Sequence, residues 1–171
     1  YPDTLIPNAQ DFSDTAMVVI SRVGGEGADL PWDLTQVTYT NNSESYADFE
    51  PGEHYLQLSQ SEETMIDLVC SSFDNVILVY NASNVFELGF VNDHPQIKSV
   101  VWCPGAGQSG FEALGSIVTG AVNPSGKTSD TFVADLTATP YFNNFGSFTY
   151  DNMDNHLGLL GGNALQTTYL N

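Results

Sequence analysis

Positive charge is nearly absent from this sequence. Three Lys and Arg residues (Arg22, Lys98 and Lys127) face 21 Asp and Glu, a formal net charge of −18. A field of that sign repels phosphate backbones and anionic lipid surfaces, which excludes nucleic acid and membrane surfaces as partners. Cysteine is scarce as well: Cys70 and Cys103 cannot form a disulfide framework and lack metal-like spacing. No apolar run approaches the roughly 20 residues that a membrane-spanning helix needs. No basic-then-apolar signal segment is present, and the chain opens Tyr1-Pro2 rather than with Met, so it reads as a piece of a larger polypeptide. What is present suffices for one domain: 171 residues, 42% of them apolar, can bury a core without covalent staples.

The apolar residues come in short runs. Ala16–Val23 (AMVVISRV), bounded by Gly24-Gly25, predicts a strand buried on both faces, as in a parallel sheet. Asn75–Tyr80 and Ile97–Trp102 predict two more. Ser59–Phe73 predicts a helix, with Ser59 or Ser61 as N-cap, Glu62 and Glu63 in the first turn, and Met65, Ile66, Leu68 and Val69 on one face. Val85–Val91 predicts a short helix ending near Asn92, and Gln108–Thr119 another, closed by Gly120. From Gly24 to Gly52 the pattern dissolves into Gly, Pro, Asn, Ser and acidic residues, a loop long enough to expect function or disorder. The alternation implies an α/β fold, a three-layer α/β/α sandwich around a mainly parallel sheet. Residues 1–142 read as this domain, and 143–171 as an irregular Asn- and Gly-rich tail packing on it or extending from it.

Several constellations bear on chemistry. Gly105-Ala106-Gly107-Gln108-Ser109-Gly110 spells the dinucleotide fingerprint G-x-G-x-x-G between a strand and a helix. Pro104 intervenes, however, the strand is third in order, and the acidic partner about 20 residues on would be Asp130, to which no strand leads. A tight strand-to-helix turn explains the glycines equally. Val23–Pro31 places Glu26 among three glycines just beyond a strand, where open α/β sheets bind ligands; a solvated acidic loop is the plain alternative. Asp151-Asn152-Met153-Asp154-Asn155 lacks the central Gly and terminal Glu of a calcium loop. His54, His94 and His156 have no pairing that suggests zinc. No G-x-S-x-G elbow supplies a serine nucleophile. Cys103, beside Pro104 at a strand end, reads as a reactive or a buried inert thiol.

Three stretches together resemble the carboxyl-side α/β sandwich domain of glycoside hydrolase family 3, the β-glucosidase family. Met17–Pro31 is similar to its strand followed by an E-G-x-D segment. Val100–Gly110 is similar to its strand ending in P-G-x-x-[EQ]-x-G. Gly120-Ala121-Val122-Asn123-Pro124-Ser125-Gly126-Lys127-Thr128 matches its G-x-x-N-P-S-G-[KR] turn. The order and separations fit over about residues 14 to 132. The resemblance implies a retaining β-glycosidase with its nucleophilic Asp on a separate (β/α)₈ barrel domain of the same polypeptide. That fold takes about 250 residues by itself, so the fragment alone should be inactive. The acid/base of the family is commonly a Glu on the sandwich loop, and the matching position is Glu26. Asp29 and Trp32 become candidate contacts to a carbohydrate substrate, with Tyr39 and Tyr46 as further stacking platforms; loop aromatics also pack locally. Many members carry Arg where this chain has Leu30. No cofactor or metal is implied. Other readings are a non-catalytic carbohydrate-contact or scaffold domain and, below that, a dinucleotide-binding domain.

Overall fold

The computed structural model describes residues 2–24, 27, 30, 48–50 and 53–139. Three β-branched, apolar runs form the strands β1 (Thr15–Ser21), β2 (Asn75–Asn81) and β3 (Ile97–Trp102). They pair in parallel in the order β1-β2-β3. Val18 lies opposite Leu78 and Ile20 opposite Tyr80, while Leu78 and Tyr80 lie opposite Val100 and Trp102. Parallel partners share a face, so these side chains form one surface of the sheet. A register shift between Val76 and Ile77, which pair with Ile97 and Ser99, leaves Lys98 as an extra residue in β3.

Helix α1 spans Leu5–Phe12 and helix α2 spans Gln60–Ser72. The predicted start of α2 is realised in full: the Ser59 side chain accepts from the Glu62 amide, and the Glu62 carboxylate accepts from the Ser59 amide. Ile66 (0% exposed) and Cys70 pack with Val18, Ile20, Val76, Leu78 and Tyr80 in the core. Burying a side chain such as Ile66 is worth about 1.5–3 kcal/mol. The connection from β2 to β3 adds Phe86, Leu88, Phe90 and Val91 to the same cluster. The result is an α/β sandwich with a parallel sheet, the class the alternation of elements predicts.

Three local expectations need correction, and one helix was not expected. Strand β1 is buried on one face only: Val18 and Ile20 are buried, but Met17 and Val19 are 54% and 52% exposed. Among the described residues β1 is the edge strand of the sheet, and its second face is half exposed there. The short helix expected at Val85–Val91 is a 3₁₀ turn at Gly89–Asn92. The Glu87 and Leu88 amides donate to Leu56 and Val133 carbonyls, so tertiary contacts take the donors that a helix would use. Helix α3 runs Phe111–Val118, three residues later than expected, and ends as predicted at Gly120, whose amide donates to Ile117. Helix α1 had no sequence signature. It has no side-chain cap, and Pro7 sits in its first turn, where a missing N–H costs no intrahelical bond. Tertiary contacts hold it: Ala9 packs on the core and Gln10 donates to the Ser72 carbonyl.

One link near the surface is pH-sensitive. His94 bonds Asp67 through Nε2 at 2.9 Å and the Phe90 carbonyl through Nδ1 at 2.8 Å. The bond to Asp67, then that to Phe90, raises the His94 pKa above its ordinary 6.5, against a smaller opposing effect of burial. The folded state therefore holds this proton more tightly than the unfolded state. Its contribution is complete below pH 6.5 and is lost as pH rises through the raised folded value. We expect His94→Gln to flatten the fall in melting temperature between pH 6 and pH 8, measured by thermal unfolding across that range.

Candidate active-site loop at the carboxyl end of strand β1

The loop that carries the candidate acid leaves β1 at its carboxyl end, and a single guanidinium fixes the point of departure. Arg22 is the first residue after β1, and its side chain is 0% exposed. Its fork grips Glu62 in α2, Nη1 to Oε1 at 2.7 Å and Nη2 to Oε2 at 2.6 Å. Nη1 also donates to the Ser21 carbonyl, Nη2 to Gln57 at 2.6 Å, and Nε to Tyr55 at 2.5 Å. Its carbon lies 5.1 Å from the Tyr55 ring centroid and 4.8 Å from that of Phe86. A buried guanidinium is tolerated where its donors are met in this way. Glu62 does double work, since the same carboxylate completes the cap of α2.

The chain returns to the same place. The Asp48 carboxylate accepts from the amide and hydroxyl of Ser61, and Gln60 bonds Glu50. Burial opposes ionisation of Asp48, but hydrogen bonds from Ser59 and Ser61 outweigh it and hold its pKa below the usual value. Both ends of the loop are thus tied to the first turn of α2. Within the loop, Gly24 and Leu30 come together: a Cβ on Gly24 would stand 2.8 Å from Leu30 Cδ2. Gly27, between them, has φ +75°, which a side chain would strain. Leu30 thus supplies an apolar contact at the base of this turn. Glu26, Asp29 and Trp32 lie outside the described residues, as do Tyr39, Tyr46, His156 and the Asp151–Asn155 stretch.

A second network braces the segment that follows. His54 Nδ1 accepts from the Leu56 amide, so Nε2 carries the proton and donates to Glu87 at 2.9 Å. The same Glu87 oxygen accepts from the Leu136 amide at 2.6 Å. Neither this pair nor the Arg22 clamp was anticipated. The available signal was Arg22 itself, one of three cations in the chain, set one residue before the end of a mostly apolar run.

The glycine-rich stretch after β3 is a tight turn. Gly107 has φ +61°, and a Cβ on Gly110 would collide with the Ala106 carbonyl. Asp130 is on an irregular segment and not at a strand end, so the dinucleotide fingerprint lacks its acidic partner. That segment lines one side of an open pocket of about 530 Å³ beside β3, together with Tyr80, Val100 and Trp102; Asp130 and Phe132 are its own contribution. The Trp102 and Phe132 rings meet edge to face at 5.5 Å there. Of the cysteines, Cys70 is buried, which pushes its thiol pKa up, and Cys103 is half-buried with its amide bonded to Tyr80.

A parallel α/β sandwich whose loops gather at the carboxyl ends of its strands defines a class of domain that works through those loops. Residues 6–163 match the glycosyl hydrolase family 3 C-terminal domain, and the chain belongs to that family. It is 33% identical over 148 residues to beta-glucosidase A of Butyrivibrio fibrisolvens, covering 81% of this chain and 17% of that protein. It is 28% identical over 144 residues to the beta-glucosidase of Ruminococcus albus, covering 84% of this chain and 13% of that protein. A shorter match, 35% identical over 52 residues, covers 30% of this chain and 7% of beta-D-xylosidase 1 of Arabidopsis thaliana. The chain thus spans less than a fifth of the length of these relatives.

Proposed function

We propose that this chain is the sandwich-domain part of a retaining β-glycosidase that hydrolyses terminal β-glycosidic bonds. It contributes Glu26 as general acid/base, opposite a nucleophilic Asp on a barrel domain of the same polypeptide. The observation that carries this reading is the family match across residues 6–163. The tethering of the Glu26-bearing loop at the carboxyl end of β1, through Arg22 and Asp48, supports it.

The chemistry needs two carboxyl groups about 5 Å apart. The nucleophile attacks the anomeric carbon while protonated Glu26 gives its proton to the glycosidic oxygen, and the alcohol departs. Ionised Glu26 then takes a proton from water, whose oxygen attacks the anomeric carbon and releases the nucleophile. The first step requires a protonated carboxyl near neutral pH; cover by the barrel and the charge of the nucleophile would both push the Glu26 pKa up. In this reading Asp29 accepts hydrogen bonds from sugar hydroxyls and Trp32 stacks on the ring. The same reading takes residues 1–142 as the sandwich domain; 143–171, read from the sequence as an irregular tail packing on it or extending from it, lie outside the described residues.

The test is hydrolysis of a panel of 4-nitrophenyl glycosides, by this chain alone and by the full-length enzyme. We expect the full-length enzyme to cleave a β-glycoside and the isolated chain to cleave none. Turnover by the isolated chain would place the nucleophile within these residues and overturn the assignment. Full turnover after deletion of the whole domain would favour a scaffold instead.

A further inference from the structure

We infer that Arg22 is a positioning residue for the acid/base, a role that rests on the assignment of Glu26. Arg22 precedes Glu26 by four residues and is, among the described residues, the last point at which the outgoing chain is fixed by α2. The returning chain is fixed by Asp48 on Ser61, the neighbour of Glu62. The two tethers therefore converge on one helical turn, and the guanidinium locks the outgoing one in both direction and rotation. Its two parallel bonds to Glu62 set the plane of the fork. The Tyr55 and Gln57 carbonyls and the rings of Tyr55 and Phe86 leave that plane no room to turn.

Stability alone does not account for a buried ion pair here. Removing two charges from water is costly, and well-packed apolar residues of similar volume usually stabilise as much or more. What an apolar pair cannot supply is a fixed direction for the chain leaving β1. A general acid needs that direction, because proton transfer requires hydrogen-bond reach to one oxygen, and a shift of about 1 Å can cost on the order of a hundredfold. Lysine at position 22 would keep the charge but lose the fork.

The experiment uses the full-length enzyme with Arg22→Lys, Glu62→Gln and Glu26→Gln. Each is assayed on two β-glycosides of the same sugar, one with a phenyl and one with a 2,4-dinitrophenyl leaving group. The phenolate of the first needs a proton to depart, whereas that of the second does not. A misplaced acid therefore lowers kcat/KM for the phenyl glycoside selectively. We expect both clamp variants to lose at least tenfold more on the phenyl glycoside than on the dinitrophenyl glycoside, in the same sense as Glu26→Gln. Equal losses on both substrates would overturn the positioning role and leave Arg22 a structural residue. Should Arg22→Lys fail to fold, Glu62→Gln, which retains side-chain volume and the capping geometry, decides the matter alone. If Glu26→Gln spares both substrates, the acid/base assignment fails and the positioning role fails with it. If Glu26→Gln is selective and the clamp variants are not, only the positioning role falls.

Discussion

Replacing Glu26 by Gln in the full-length enzyme should lower kcat/KM on an unactivated aryl β-glycoside by about 10²–10⁴-fold, the usual worth of a positioned general acid. Glutamine keeps the size of the side chain and can still donate a hydrogen bond, but it cannot transfer a proton. The loss should shrink towards unity as the leaving group becomes a stable anion. Breakdown of the glycosyl-enzyme would also slow, because no base would activate water. With an activated leaving group, where this second step limits, azide, an anion that needs no deprotonation, should restore turnover and yield the β-glycosyl azide. Product analysis checks this directly. Unchanged kinetics in the variant, with no azide product, would remove Glu26 from the mechanism.

Replacing Arg22 by Ala should destabilise the fold by about 3–5 kcal/mol, since it leaves the Glu62 carboxylate unpaired in a largely buried position. At this chain length each kcal/mol corresponds to about 2–4 °C in melting temperature. The Tyr55 and Gln57 carbonyls would also lose donors, and the Tyr55 and Phe86 rings would flank a void. Pairing Arg22→Met with Glu62→Leu should return much of the loss by removing both charges at once, although the α2 cap would still suffer. Urea unfolding of the single and double variants measures the difference. A double variant no more stable than Arg22→Ala would mean that the carbonyl contacts, rather than the stranded carboxylate, dominate.

The sheet was legible because apolar runs rich in β-branched residues, Ala16–Val23, Asn75–Tyr80 and Ile97–Trp102, have few other ways to bury themselves. Helix α2 was legible because its start is local chemistry: Ser59 and Glu62 satisfy each other's backbone partners three residues apart. Elements governed by distant partners were not. Helix α1 exists through contacts with Ser72 and the core, and the Val85–Val91 stretch is diverted by Leu56 and Val133. The one-sided exposure of β1 likewise depends on what lies against its other face, which its own residues do not encode. At the site, the glycine pattern correctly marked a turn demanding positive φ, met at Gly27. The resemblance carried the role of Glu26, which spacing alone leaves beside a solvated acidic loop. The clamp at the end of β1 joins Arg22 to Glu62 across forty residues of sequence, beyond the reach of any local pattern.

The proposed active site is divided, with the acid on this chain and the nucleophile on another domain. A 2-deoxy-2-fluoro glycoside with an activated leaving group slows hydrolysis of the glycosyl-enzyme enough to trap it. Peptide mapping of the trapped full-length enzyme by mass spectrometry then locates the labelled carboxylate. We expect a label on an Asp outside these 171 residues, with Glu26 unmodified. A label on any carboxylate within this chain would contradict it.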